Sequence, residues 1–227
     1  MAESISINRT DAFACSTIGR KVVMAVTGLV LFGFVFAHML GNLQMFLPDH
    51  EAMNHYGRFL REMLHGGGIW AARAVLLGSV SLHIWAAWSL TRTSLKARPV
   101  PYKVVTPDAS TYASRTMRWS GPIVLLFIIY HLLHFTVGSV HPAFAEGEIY
   151  RNVIVGFSFW PVAVAYVIAI LALGLHLRHG AWSMLQTLGA SHPQWDRSRE
   201  LAATVFTVII VLGFISVPLA VLVGVLK

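Results

Sequence analysis

The sequence predicts an all-α integral membrane protein, a bundle of five transmembrane helices, and three observations support this fold class. Of the 227 residues 56% are hydrophobic and only 12% are charged, against about 25% charged in an ordinary soluble domain. Five stretches are long enough to cross a bilayer, which takes about 20 apolar residues. These stretches are continuously apolar, whereas strands of a membrane barrel alternate apolar and polar residues. We therefore expect residues 1–227 to form a single transmembrane domain.

The five apolar stretches give the elements in chain order. The first begins VVMAVTGLVLFGF and the last ends in a valine- and leucine-rich run. The amphipathic connection after the first stretch carries acids and histidines, so we expect a short helix at the membrane surface that ends at Gly66-Gly67-Gly68. The predicted spans are residues 22–46, 69–90, 119–139, 157–185 and 202–226.

Basic residues are distributed unevenly over the connections. The N-terminal segment and the connections 91–118 and 187–200 hold eleven Lys and Arg residues, and the opposite side holds five. Because cytoplasmic connections carry the excess of positive charge, the N-terminus is predicted to be cytoplasmic and the C-terminus outside. The net charge of +7 then follows from topology, and no nucleic-acid partner is needed to explain it.

Histidines are the candidate functional residues. The single cysteine, Cys15, excludes an internal disulfide, a four-cysteine iron–sulfur cluster and a cysteine-rich zinc site. Ionisable residues inside spans are rare and mostly functional, and no span carries Asp, Glu or Lys at mid-depth. A proton-relay transporter would therefore lack its usual carboxylates. Four of the five spans contain histidine: His38, then His83, then His131 and His134, then His176 and His179.

Four helices that each offer an imidazole suit two six-coordinate haems b, since two imidazoles from facing helices can hold one haem iron. Zinc could also take four imidazoles, but would gather them at one depth. His38 lies about eight residues, roughly 12 Å, before the outer end of its helix. His83 lies near the inner end, and His176 comes late in an inward-running helix. We therefore predict His83 and His176 as the inner pair.

The outer partner of His38 is either His131 or His134, which face directions about 60° apart on their helix. Gly28 and Gly121 each stand ten residues before a histidine, His38 and His131. Glycine would allow a flat macrocycle to approach the backbone, and this spacing favours His131. Distance from the helix start favours His134 instead, and we prefer His131.

The fourth span offers a similar choice between His176 and His179. Arg178, His179 and Trp182 resemble the start of an interfacial zone. We therefore prefer His176 as the ligand.

Several segments resemble the cytochrome b membrane anchor of succinate dehydrogenases and fumarate reductases, in its single-subunit form with five helices and two b haems. They are IGRKVVMAVTGLVLFGFVFAHMLGNLQMF in the first span, SRTMRWSG before the third, YHLLHFT within it and LHLRHGAWSMLQTLG in the fourth. The resemblance covers nearly the whole chain and falls on the candidate ligands. In this family the first and third ligand helices hold the outer haem, and the second and fourth hold the inner one.

The resemblance implies an electron-transfer subunit of succinate:quinone oxidoreductase in a bacterial cytoplasmic membrane. A flavoprotein subunit and an iron–sulfur subunit would bind at the cytoplasmic face and carry out the dicarboxylate chemistry. Electrons would pass through the haems between these partners and a membrane quinone, expected to be menaquinone. The alternatives are the cytochrome b subunit of another quinone-linked complex, such as a nitrate reductase or hydrogenase, and a histidine-dependent transporter.

The resemblance also suggests which residues contact the quinone, and at one position this chain departs from the family pattern. Glu62, or else Glu51, is the candidate for the acidic quinone residue of the family. Arg118 and Ser120 match a spacing used near quinone in related anchors, although Arg118 equally suits a haem propionate or a snorkelling role. Some di-haem fumarate reductases carry a glutamate two residues before the ligand of the fourth ligand helix, for proton transfer. This chain has Gly174 there, which places that proton path in doubt.

Overall fold

Helices account for all the regular structure in the part of the chain that the structure describes. A computed structural model describes residues 16–97, 112–190 and 192–227, without the side chains of residues 112–116 and 118. The helices are α1 (Thr17–Asn42), α2 (Glu51–Glu62), α3 (Gly67–Lys96), α4 (Tyr112–Leu132), α5 (Ile149–Ser158), α6 (Trp160–Thr187) and α7 (Asp196–Leu222).

Within the described residues five segments are long and apolar enough to cross a membrane, which confirms the all-helical, five-span class. They begin and end within a few residues of the predicted stretches, apart from the N-terminal extension of the last. The segments are Thr17–Phe46, Gly67–Lys96, Trp119–Val137, Trp160–Thr187 and Pro193–Leu222.

The fourth predicted span is interrupted near its start. Helix α5 ends at Ser158, Phe159 takes an extended conformation, and α6 begins at Trp160 with a proline in its first turn. Proline fits the first turn of a helix, where its missing N–H costs no hydrogen bond. The sequence prediction missed α5, a separate short helix that precedes the span.

The predicted surface helix after the first span is α2. It is followed by Leu64, His65 and Gly66, all with positive φ, and this turn leads directly into α3. The buried face of α2 packs on α5, where the side chain of Asn54 accepts a hydrogen bond from the backbone N–H of Tyr150 at 3.1 Å. The connection is thus fixed against the bundle.

The bundle consists of two helix pairs that α7 joins. Helix α1 packs along α3, and α4 packs along α6; α6 also contacts α1 and α7. Each pair carries two of the predicted ligands, one on each helix. Imidazoles that meet between the two helix pairs therefore come from all four of these helices.

Glycine and methionine set the close contact of α7 with the other helices. Gly174 of α6 is buried, and a β carbon there would lie 2.6 Å from Cγ2 of Val211 on α7. Gly213 of α7 leaves room for Met39, which is fully buried. Position 174 is therefore a site of helix packing.

This packing predicts opposite effects for two glycines of α6. Gly174→Ala forces the new methyl group into Val211, and we expect a loss of about 1–3 kcal/mol of stability. Gly180→Ala is the matched control, because nothing lies within 4 Å of its β-carbon position and alanine is the better helix former. Thermal unfolding in detergent measures both, and equal melting temperatures for the two variants would contradict the packing assigned to Gly174.

Candidate functional site

The first histidine pair joins α1 to α4. The ring centres of His38 and His131 lie 5.8 Å apart, with the ring planes at 77°. His38 also stacks on Phe34 and contacts Phe214 of α7. Aromatic neighbours on two helices thus hold the His38 ring beside His131.

The second pair joins α3 to α6. The ring centres of His83 and His176 lie 6.2 Å apart. The hydroxyl oxygen of Thr27 lies 3.2 Å from Nδ1 of His83 and donates to the carbonyl of Val23 at 2.7 Å. Because a hydroxyl has a single hydrogen, Nδ1–H of His83 is the donor to Thr27. Nε2 of the neutral ring is then the acceptor.

The two glycines singled out in the sequence both lie at this second pair. A β carbon at Gly28 would lie 3.5 Å from Cε1 of His83, and one at Gly121 would lie 3.9 Å from Cε1 of His176. Helices α1 and α4 therefore each contribute a histidine to one pair and a glycine to the other. This explains why the same ten-residue spacing occurs in both helices.

Both separations fit a single metal ion between two imidazoles. An imidazole nitrogen binds a first-row metal at about 2.0 Å and the ring centre lies about 1 Å behind it, so two opposed ligands have ring centres about 6 Å apart. Nδ1 of His176 is buried and has no hydrogen-bond partner among the described residues. Within the same residues no group of three or more His, Cys, Asp or Glu side chains could hold a metal ion. The donor set thus fits two bis-imidazole sites better than one four-imidazole zinc site.

His134 lies apart from the first pair. It belongs to a π-helical turn, Leu133–Val137, that follows α4, and it is fully buried. Its Nδ1 lies 3.0 Å from the hydroxyl of Tyr166, and its ring packs on Tyr130 and Phe135. Among the described side chains no ring contact joins it to His38. The structure therefore brings His131, rather than His134, next to His38.

His179 is likewise separated from its neighbour pair. In the described part of the chain His83 meets His176, while the ring contact of His179 is with Trp182. The choice of His176 over His179 thus agrees with the contacts of the two rings.

The quinone candidates lie toward opposite ends of the bundle. Glu62 is exposed at the end of α2, which lies between the end of α1 and the start of α3. Ser120 is buried in the first part of α4, one residue before Gly121, and its hydroxyl lies 3.9 Å from the sulfur of Met117. The side chain of Arg118 is outside the described residues. Glu62 and Ser120 could not contact the same quinone ring.

Tyr166 is a site residue that the sequence prediction missed. Its hydroxyl lies 3.0 Å from Nδ1 of His134 and 3.4 Å from Nδ1 of His131, and only 4% of the residue is exposed. A single tyrosine leaves the hydropathy pattern of an apolar span unchanged, so this pattern does not single it out. The only available indication was that a buried tyrosine hydroxyl usually has a hydrogen-bond partner.

This geometry predicts a stability cost for removing the hydroxyl. Tyr166→Phe leaves a buried imidazole nitrogen without its partner, and we expect a loss of about 1–3 kcal/mol. Tyr130→Phe is the matched control, since its hydroxyl makes no hydrogen bond among the described residues, although its ring also packs on His134. Thermal unfolding in detergent compares them, and an equally stable Tyr166 variant would refute the hydrogen bond.

Comparison with known families agrees with the resemblance in the sequence. The chain matches the model of the succinate dehydrogenase/fumarate reductase transmembrane subunit family over residues 95–215, more than half of its length. Comparison with curated proteins and with solved structures gave no match. The matched segment contains α4, α6 and most of α7, and with them His131 and His176. The chain, a multi-pass membrane protein, belongs to the succinate dehydrogenase/fumarate reductase transmembrane subunit family.

Proposed function

We propose that this membrane anchor binds two haems b and passes electrons between its partner subunits and a membrane quinone. His38 and His131 would hold one haem, and His83 and His176 the other. The observation that carries the proposal is the presence of two imidazole pairs, whose ring centres lie 5.8 and 6.2 Å apart. In each of them one ring comes from the helix pair α1 and α3, and the other ring comes from the helix pair α4 and α6. Haem would supply reversible one-electron chemistry at iron.

The chain's own residues orient these ligands. Thr27 holds the proton of His83 on Nδ1, which leaves Nε2 as the nitrogen for a metal. Tyr166 lies near Nδ1 of His131 and can do the same for that ring. Such partners fix the tautomer and the ring orientation of a metal-binding histidine. Gly28 and Gly121 keep side chains away from the inner pair, where a flat group needs room.

The remaining parts of the complex follow from family membership and charge. The described residues include no cysteine, and the whole chain has one, so other subunits must provide any iron–sulfur cluster. We propose a flavoprotein subunit and an iron–sulfur subunit at the basic, cytoplasmic face of a bacterial inner membrane. Electrons would enter or leave there through the inner pair, His83 and His176. Menaquinone is the proposed quinone.

Ligand substitutions test the haem assignment. His83→Ala or His176→Ala should remove one spectral component of the reduced protein, and His38→Ala or His131→Ala should remove the other, because each haem needs both of its imidazoles. His179→Ala is the control and should keep both. Reduced-minus-oxidised spectra of isolated membranes measure the result. If the His38 and His83 variants lost the same component and kept the other, the pairing would be wrong.

The topology has a separate test. A reporter fused after Lys227 should be active outside the cytoplasm, and one inserted within residues 98–111 should be active in the cytoplasm, because eleven basic residues lie on that side and five on the other. Paired alkaline phosphatase and β-galactosidase fusions measure both positions. A cytoplasmic C-terminus would require an even number of spans and contradict the fold class.

A further inference from the structure

Thr27 of α1 is a buried polar residue in the interior of a span, with 7% of the residue exposed. Its hydroxyl oxygen lies 3.2 Å from Nδ1 of His83 on the neighbouring helix α3. The same oxygen lies 2.7 Å from the carbonyl oxygen of Val23 and 3.2 Å from that of Met24. The single hydroxyl hydrogen is therefore donated to the backbone of α1, and a lone pair of the oxygen is left for His83.

The backbone of α1 gives the His83 ring a second acceptor. The carbonyl of Met24, one helical turn before Thr27, also forms a hydrogen bond with this ring. Because a carbonyl can only accept, it favours a proton on the edge of the ring that faces α1, as Thr27 does. The tautomer of His83 thus has two supports, and loss of the hydroxyl alone leaves Nε2 as the nitrogen for a metal.

The other ring of this pair has no comparable contact. Nδ1 of His176 is buried and has no hydrogen-bond partner among the described residues. Within the described part of the chain, a side chain therefore supports only one of the two imidazoles at this pair. In a dry, apolar interior such a hydrogen bond is stronger than it would be in water.

This hydrogen bond changes the ligand strength of His83. An acceptor at Nδ1–H moves electron density toward Nε2 and makes the imidazole a better donor to a metal. A better donor favours the oxidised state of iron, which carries one more positive charge than the reduced state. Reduction adds one electron at iron and breaks no bond, so the hydrogen bond acts on the reduction potential alone.

We propose that Thr27 is a positioning residue that lowers the reduction potential of the haem bound by His83 and His176. The inference rests on the proposed function, which supplies the haem. Thr27 acts through the proton on Nδ1 of His83, 3.2 Å from its hydroxyl oxygen. The rings of the first pair, His38 and His131, belong to α1 and α4 and make no hydrogen bond to Thr27 among the described residues. The effect is therefore confined to one of the two haems.

The test is a redox titration of the purified complex, followed through its absorption spectrum. Thr27→Val keeps the shape of the side chain and removes the acceptor. The spectral component that His83→Ala removes should then titrate at a higher potential. The shift is up to about tenfold in the ratio of reduced to oxidised haem at a fixed ambient potential, or about 59 mV for one electron. Thr27→Ser restores an acceptor oxygen and should return the original potential.

Thr207→Val is the matched control for the valine substitution. Thr207 is also buried, on α7, and its hydroxyl has no hydrogen-bond partner among the described residues. Both components should keep their potentials in this variant. Thr27→Cys is a second test variant, in case the valine variant does not accumulate. Sulfur is a weak acceptor, so the shift should have the same direction and be smaller.

The two spectral components distinguish the possible outcomes. A raised potential of the one component in the valine or cysteine variant, restored by serine, supports the inference. An unchanged potential or an equal shift of both components overturns it. Loss of the component from an assembled valine variant also overturns it, because the Met24 carbonyl should preserve the ligand nitrogen. If the unaltered complex lacks two haem components, the proposed function fails and the inference with it. Two normal components without a shift in the variants reject the inference alone.

Discussion

Every histidine inside the hydrocarbon layer brings two ring nitrogens, one donor and one acceptor in the neutral form. Without water, both need a partner from the protein or from a bound group. For three of these histidines the partner of one nitrogen comes from the neighbouring helix of the same pair: Thr27 of α1 lies beside His83 of α3, and Tyr166 of α6 lies beside His131 of α4 and His134 of the turn that follows α4. The imidazole pairs then lie between the two helix pairs. The same interactions therefore hold the helices together and set the position of the candidate ligands.

The fifth span contributes differently, because it carries no histidine and, among the described side chains, makes no hydrogen bond to the site. Its small residues and those of its neighbours allow close contact, with Gly174 against Val211 and Gly213 against Met39. Met39 follows His38 directly, so the contact that buries Met39 also restricts the backbone that carries the ligand. Any side chain at position 174 would have to displace Val211 of α7. The absence of a glutamate there thus agrees with the close packing of α6 on α7.

Hydropathy was sufficient to predict the five spans, because their length follows from the length of a helix in a bilayer. The pairing of the histidines by depth stays a prediction. The helix interruption at Phe159 and the π-helical turn after Leu132 were not predictable in this way. Both are local changes in hydrogen bonding that leave the apolar pattern intact. Tyr166 and the loop held by His141 and Asn152 depend on contacts between distant parts of the chain. Composition and periodicity carry no information about such contacts.

The two ends of the bundle have different chemistry, and this difference bears on energy coupling. The His83–His176 pair lies toward the end with the basic connections, and the His38–His131 pair lies beside Tyr166 and His134 at the other. Under the proposed function, an electron passed between the two pairs would move charge across only part of the membrane. Its energy would then be a fraction of the about 2.3 kcal/mol per 100 mV that a full crossing involves. Because Gly174 is packed against α7, no carboxylate at that position would compensate this charge movement.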